Sequence, residues 1–284
     1  MMETHDVWDI EIQPKYPLLD IRLKELWHYR DLLILLVKRD YKASYKQTIL
    51  GPFWFFIQPI LTTLIYIVIF GNIAKLGTDG KPQAVFYLSG VIMWNYFSSC
   101  LTSTSSTFTG NANIFGKVYF PRLIIPLSVV TSNLIKFGIQ FVFFISVLVY
   151  FMAVQPGSIA VSPFVFITPL LLIIMGLLGL SLGLLISSVT TKYRDFIQLV
   201  AFGVQLLMYA TPVVYPMSIL SAKYQALLFF NPMTGVIETF RYIFIGSGTL
   251  NWTMLGYSAF MSILLLIVAV IVFNRVEKGF IDTV

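Results

Sequence analysis

Groups able to do acid–base or covalent chemistry are scarce in this chain of 284 residues. Between residues 41 and 276 the only carboxylates are Asp79, Asp195 and Glu238. Proton relays and intramembrane hydrolysis call for more buried acids than that. The two histidines, His5 and His28, both precede the first long apolar run. A lone His on a polar helix face is ordinarily solvated. Cys100 is the single cysteine, which excludes an intrachain disulfide and a thiolate metal cluster. No GxSxG, HExxH or paired-carboxylate pattern is present. The nearest approach to a phosphate-binding loop is Gly110–Val118 (GNANIFGKV). It has one residue too many between its glycines, and Val118 stands where a Ser or Thr hydroxyl must bind magnesium. Neither an enzyme nor a self-contained ATPase is expected.

The residues that do stand out are single polar groups inside apolar segments. Lys136 lies within a long apolar run, with Asn133 and Gln140 one turn to either side. An intramembrane charge is costly, so it reads either as an attractor for an anionic group or as a Lys that snorkels among those amides. Glu238 and Arg241 are three apart and can pair on a helix. Gln58, Tyr66, Gln198, Gln205, Tyr209 and Tyr215 have no evident reason to face lipid and are expected to border a polar path. Tyr209 and Tyr215 also suit an outer interfacial anchor. The sharpest local pattern is Ile114–Arg122 (IFGKVYFPR), a basic and aromatic link that would present Lys117 and Arg122 to a partner.

The elements that must position these groups are membrane helices. Only 11% of residues are charged against 57% hydrophobic, whereas soluble domains carry about a quarter charged. A hydrocarbon core about 30 Å thick takes about 20 apolar residues per helix. Six spans are expected, at roughly 51–71, 84–108, 123–152, 164–189, 196–214 and 253–273. The first is entered through Gly51-Pro52 and interrupted at Gln58-Pro59. The second half of span two is rich in hydroxyls (Ser98, Ser99, Thr102, Ser103, Thr104, Ser105, Ser106, Thr107), which could line either a helix contact or a wet path. Gly176, Gly179, Gly183 and Ser187 give span four a small-residue face suited to close packing. Runs 219–230 and 234–245 are too short to span and are broken by Pro216, Pro232, Gly235, Gly246 and Gly248, as expected of two re-entrant helices or of helices lying flat on the outer leaflet.

Residues 18–46 have helical amphipathic spacing. Leu19, Leu23, Leu26, Leu33, Ile34, Val37 and Tyr41 fall on one face, opposite Lys24, Glu25, His28, Asp31, Arg39, Lys42 and Lys46. Such a helix suits the membrane interface, a cytosolic helix packed on a partner being the alternative. Residues 1–17 carry four acids and lack the basic-then-apolar pattern of a secretory leader. Of the 19 Lys and Arg, fourteen fall before residue 50, in the links 109–122 and 190–195, or after residue 274. Lys75, Lys81, Lys223 and Arg241 fall on the other side. The positive-inside bias therefore puts both termini in the cytoplasm. The chain divides into a cytoplasmic segment, 1–49, and a six-span domain, 50–284. The basic residues mark topology; nucleic acid is not an expected partner.

In sequence the chain resembles the membrane subunits of ABC-2-type polysaccharide exporters, the permeases of O-antigen and teichoic acid. The resemblance rests on Arg39-Asp40-Tyr41-Lys42, Tyr45-Lys46-Gln47, Leu50–Trp54, Gln58-Pro59 and Gly90–Trp94. It continues through Lys117-Val118-Tyr119-Phe120-Pro121-Arg122, Tyr193-Arg194-Asp195, Thr211–Pro216, Asn231-Pro232-Met233 and Glu238–Arg241. It implies a homodimer of six-span subunits with two separately encoded ATPase subunits that bind Mg-ATP; no cofactor is expected on this chain. It implies that 109–122 is the coupling helix, that Arg194 and Asp195 also serve ATPase coupling, and that the N-terminal helix lies near substrate entry. It implies that 215–250 forms an outer gate, including Pro216, Asn231, Pro232, Glu238 and Arg241. The implied cargo is a glycan on an undecaprenyl-pyrophosphate carrier, crossing the bacterial inner membrane. Export of teichoic acid, capsule, lipid or drug is the alternative within transport, and a membrane-embedded enzyme or scaffold is the alternative outside it. The latter lacks an acid, base, nucleophile or metal set.

Overall fold

The computed structural model describes residues 23–46, 48–115, 120–190, 193 and 195–280. All regular structure among them is helical. The N-terminal part of the amphipathic segment, 18–22, lies outside the described residues. So do Lys117, Val118, Tyr119 and Arg194 of the expected coupling elements.

Five helical segments are long and apolar enough to cross a membrane: Gly51–Ile73, Gln83–Ser105, Ile124–Val154, Pro163–Thr190 and Trp252–Val276. The first is α3 (Trp54–Tyr66) led in by a 3-10 turn and continued by a π-helix, Ile67–Ile73. Pro59 lies inside α3 and is buried. The others are α4 (Gln83–Ser105), α6 (Ile124–Val154), α7 (Thr168–Thr190, after a 3-10 turn at Pro163–Ile167) and α11 (Trp252–Phe280). Between α4 and α6 comes α5 (Thr107–Phe115), set off by a break at Ser106 and itself kinked at Asn111.

The expected fifth span differs. Its helix, α8 (Phe196–Tyr209), has only 14 residues, about 21 Å of rise, and Ala210–Tyr215 continues as turns. The run 196–214 is apolar throughout, but Pro212 withholds an amide and Pro216 follows four residues later, so the helix stops early. The two short helices are α9 (Ala222–Phe229), which is exposed, and α10 (Pro232–Ile245), which is buried along nearly its whole length. Local signals fix α10 well. Asn231 Oδ1 accepts the Met233 amide at 3.0 Å, Pro232 opens the first turn, and Gly246 closes the helix at φ +65°.

Helix α4 is the centre of the bundle and packs on α7, α6, α3 and α10; α7 packs in turn on α11. The α4–α7 contact is close because of glycine. An added Cβ would stand 2.6 Å from Tyr96 Oη at Gly176, 2.7 Å from Cys100 Cβ at Gly179 and 2.5 Å from Thr104 Cβ at Gly183. The small-residue face of span four is thus a packing surface. Ser187 continues it and accepts the Phe108 amide at 3.4 Å.

The amphipathic segment is two helices, α1 (Leu23–His28) and α2 (Arg30–Ala43), joined at Tyr29. Its buried face is rotated from the expected one. Leu36 and Val37 are buried while Ile34 is exposed, and Leu36 packs with Phe120, Ile124 and Ile125 at the start of α6. The helix therefore docks on α6 as well as offering Trp27, Ile34 and Leu35 to the surroundings.

Candidate functional site

The most concentrated polar chemistry sits where α10, α4 and the turns after α8 meet. Arg241 is the largest fully buried side chain, at 0% exposure. Its guanidinium does not primarily pair with Glu238, whose Oε1 is 3.8 Å from Nη1. It donates instead to main-chain carbonyls of the segment that ends α8. Nη1 reaches Pro212 O at 2.6 Å and Tyr215 O at 3.3 Å, Nη2 reaches Val213 O, and Nε points at Ser89 Oγ of α4 at 3.5 Å. The cation also lies 3.8 Å from the Phe86 ring centroid. A rigid five-donor fork suits this task, since carbonyls orphaned by a helix end must find donors when buried. Burial lowers the guanidinium to about 10, which leaves it cationic at neutral pH.

The neighbours are built to admit this group. At Gly90 a Cβ would stand 2.5 Å from Val213 O and 2.9 Å from Arg241 Nη2, so only glycine lets the turn and the guanidinium approach α4. Gly248, at φ +86°, does the same for Glu238, whose main-chain oxygen would lie 2.8 Å from a Cβ there. Glu238 is 2% exposed. Burial pushes its carboxyl above the ordinary range; Arg241 and hydrogen bonds from the Thr249 and Met217 backbone pull the other way. Asn231 ties the same turns from the other side, donating Nδ2 to Ala210 O at 3.0 Å and to Thr211 Oγ1 at 2.9 Å.

The loop between α3 and α4 joins the cluster. Asp79, at φ +53°, accepts from Ser218 after the turns and from Ser247 after α10, the latter at 2.9 Å. Lys81 Nζ donates to Ser158 O at 3.1 Å, bringing in the α6–α7 loop. Four connections thus converge on one end of the bundle, tied by side chains to backbone.

Of the expected gate residues, Pro216, Asn231, Pro232, Glu238 and Arg241 all lie in or beside this cluster. The Glu238–Arg241 proximity was legible from spacing. The carbonyl partners, Gly90, Asp79 and Ser247 were not assigned to it; the left-handed backbone at Asp79 and the glycines were the available signals.

The expected path residues divide. Gln58, Gln198, Gln205 and Tyr209 are exposed on α3 and α8. Tyr66 is half-buried and donates to Met208 Sδ at 3.2 Å, joining α3 to α8 near the Arg241 end. Tyr215 is half-buried and donates to Tyr209 O at 3.1 Å. A cavity of about 560 Å³ between the end of α8 and α9 is lined by Leu207, Tyr215, Tyr224, Leu227, Phe230 and Asn231, among others.

At the opposite end, Phe120 is not a free docking knob. Its ring is buried against Leu36, Ile124 and Ile125, because the chain turns into α6 under α2. Pro121 is half-buried, Arg122 is buried, and Asp195 is exposed ahead of α8. Lys136 lies lower on α6 than its sequence position implies. Phe56 of α3 meets Phe143 of α6, and seven residues back along α6 is about 10 Å. That places Lys136 level with the start of the first span, where Asp40 of α2 is within electrostatic range.

Similarity to known proteins bears on this arrangement. The family model described as "ABC-2 type transporter" matches residues 31–245. A protein of Klebsiella pneumoniae named O-antigen export system permease protein RfbA is 29% identical over 265 residues, 93% of this chain and 99% of the relative. One of the same name from Myxococcus xanthus is 30% identical over 268 residues, 93% of this chain and 100% of the relative. The inner membrane transport permease YadH of Escherichia coli K12 is 27% identical over 197 residues, 67% of this chain and 75% of the relative.

Proposed function

This chain belongs to the ABC-2 type transporter membrane family, and from that premise we propose that it is the membrane subunit of an ATP-driven exporter that moves a lipid-linked polysaccharide across the bacterial inner membrane. The observation that carries the reading is end-to-end similarity to permeases named for O-antigen export. The chain is a multi-pass membrane protein by its apolar helices. A family relationship to transport permeases, together with a sequence that offers no phosphate-binding loop, supports an ATPase supplied by separate subunits.

In this reading two copies pair, two ATPase subunits dock below, and the cargo is a glycan on an undecaprenyl carrier. Both termini are cytoplasmic, which requires an even number of crossings. The sixth comes from α8 extended by the turns 210–215, with Arg241 satisfying the backbone that no longer satisfies itself. Irregular backbone at membrane depth is tolerated only under such cover. Helices α9 and α10 form the outer gate. Lys117–Arg122, Arg194 and Asp195 form the coupling region, with the buried Phe120 and Arg122 acting from beneath its surface. Gln58, Gln198, Gln205 and Tyr209, exposed on α3 and α8, border the path.

Deletion tests the reading. Loss of the chain should leave lipid-linked glycan accumulating on the cytoplasmic side, with surface glycan restored by re-expression. Unchanged surface glycan in the deletion strain would overturn it. The topology is checked by cysteines at Asp79, Ser158 and Tyr224 in a Cys100→Ser background. All three should react with impermeant reagents from outside, and protection at Ser158 would overturn the six-crossing arrangement.

A further inference from the structure

Helix α11 runs unbroken from Trp252 to Phe280 and is gripped near both of its ends. At the end opposite Arg241, Phe273 is fully buried, and its ring stacks on that of Phe108 in α5, with centroids 4.6 Å apart and planes at 21°. Leu180 and Leu184 of α7 and Ala269, one turn back on α11, complete that contact. From Phe273 back to Met254 is about 28 Å of helix. There α11 lies directly against α10. A Cβ at Gly235 of α10 would stand 2.9 Å from Met254 O and 2.9 Å from Ser258 Oγ. Tyr257 of α11 also donates to Phe230 O at 3.1 Å, at the joint between α9 and α10. The helix that stacks on α5 thus also holds the helix that carries Glu238 and Arg241.

Phe108 stands at the start of the link between spans two and three, and that link is not a rigid extension of α4. Helical geometry is lost at Ser106 and again at Asn111. Just past the first break the chain is fastened to other helices. Ser187 of α7 accepts the Phe108 amide at 3.4 Å, and Thr190 Oγ1 of α7 donates to Ser105 O at 3.1 Å. A hinge passes on little of a push, whereas a buried ring stack in a close-packed interior yields little and passes it on. Helix α6 leaves the link by the chain itself and reaches α10 where Phe141 and Phe144 meet Phe240 and Phe244. Helix α11 has no such chain connection. Phe273 lies 165 residues beyond Phe108 in sequence, and the stack is what joins the two.

We propose that Phe273 is a positioning residue for coupling: through its stack on Phe108, displacement of the link is passed to α11, which carries it as one rod to the gate helices α9 and α10. This rests on the reading of the chain as an ATP-driven exporter and goes beyond it by naming a helix that joins the two ends. The break at Ser106 has a use here, since it lets the link move without tilting α4. Gly235 has one too: with no side chain between them, α10 must follow α11.

The test uses the full complex with its ATPase subunits in inside-out membrane vesicles supplied with the host strain's own lipid-linked glycan. The quantity read is glycan delivered to the lumen per ATP hydrolysed. Phe273→Ala should lower that ratio about tenfold and Phe273→Leu, which keeps apolar volume but loses the stack, about threefold, with ATP hydrolysis within about twofold of the parent. Ser106→Gly, which loosens the junction with α4, should leave the ratio within about twofold. Gly235→Ala should lower it from the far end. Distant independent sites add, so the double variant Phe273→Leu with Gly235→Ala should fall no lower than the worse single one. The ratio does not depend on how much complex is recovered, and Phe273→Leu keeps it readable if the alanine variant fails to assemble. An unchanged ratio in Phe273→Leu, with only the yield of complex reduced, overturns the proposal and makes the stack structural. So does a loss in Ser106→Gly as large as that in Phe273→Leu, which would assign the motion to α4. Fully additive losses in the double variant overturn the single rod. These outcomes leave the transport reading intact; normal glycan export by the deletion strain removes that reading, and the rod with it.

Discussion

The two ends of this helix bundle are held by different physics. At the Arg241 end, a fully buried cation spends its donors on backbone carbonyls, and Asp79, Asn231 and Lys81 tie the surrounding loops to one another. At the Asp40 end, α2 lies on α6 through Leu36, Phe120, Ile124 and Ile125. An ionic contact there, Arg39 to Asp40, is partly exposed to solvent, and Ser128 reaches Asp40 Oδ2 only at 3.5 Å. Buried polar networks are directional and fail as units, whereas apolar contacts can slide and re-form. In the proposed reading, where an ATPase acts at the Asp40 end and a gate closes the Arg241 end, that asymmetry has a use.

The largest expected effect is at Arg241. Arg241→Ala leaves the carbonyls of Pro212, Val213 and Tyr215 without donors and Glu238 without its cation. A loss of about 3–5 kcal/mol in stability is expected, read as a lowered unfolding midpoint in detergent micelles. Arg241→Lys should rescue little, because an ammonium cannot span the same acceptors. Glu238→Gln should cost much less, since burial already favours the neutral carboxyl. Equal losses for Arg241→Ala and Glu238→Gln would mean that the ion pair, and not the carbonyl fork, holds this end.

Next comes the other end. Phe120→Ala removes a buried ring from the contact between α2 and α6 and should cost about 3 kcal/mol. The change should appear locally, as faster proteolysis between α2 and α3, with the Arg241 end unaffected. Global unfolding in step with this cleavage would show that the two ends are one cooperative unit.

Gly90→Ala probes how closely the turns approach α4. With Val213 O at 2.5 Å from the new methyl, relief requires backbone movement, and about 1–3 kcal/mol is expected. Gly110→Ala is the matched control, as nothing lies within 4 Å of a Cβ there. A neutral Gly90→Ala would show that the turns have room to shift, and that the seal is looser than the Arg241 geometry implies.

Much of this was legible in the sequence and some was not, for identifiable reasons. The long spans follow from apolar length alone, and the glycine face of α7 from its spacing. The start and end of α10 follow from Asn231-Pro232 and Gly246. The early end of α8 was missed because 196–214 is uniformly apolar and hydropathy does not register where a backbone stops being helical. Arg241 was read as half of an ion pair, because carboxylates have a signature in sequence and main-chain carbonyls have none. The burial of Leu36 in place of Ile34 reflects the position of α6, which no periodicity within α2 encodes. The link 114–122 was expected to present Lys117 and Arg122 to a partner; that Phe120 and Arg122 are buried was not legible, because Phe120 packs under α2 through contacts between residues more than eighty apart.

The smallest effects give the cleanest test of the asymmetry, because one substitution can be made at both ends. Asp79 and Asp40 each accept from two side chains. Asp79→Asn keeps an oxygen acceptor, and Asn tolerates the left-handed backbone at φ +53° at least as well, so only the charge is lost. Asp79 is itself exposed, with its bond from Ser218 exposed and that from Ser247 part-buried, so weakening these charge-assisted bonds should cost about 1 kcal/mol and be partly screened by salt. Asp40→Asn also keeps an acceptor, but for an exposed neighbour, Arg39, at 2.9 Å. Exposed pairs of this kind contribute about 0–1 kcal/mol and are screened, so the expected loss is under about 0.5 kcal/mol and vanishes at high salt. Lys136 complicates that expectation usefully. It lies within electrostatic range of Asp40 and forms no hydrogen bond or ion pair among the described residues. If Asp40→Asn proves the costlier of the two, and Lys136→Met in the same background restores stability, then attraction between α2 and α6 is electrostatic after all. The two ends would then differ in where their charges are buried and not in whether charge holds them.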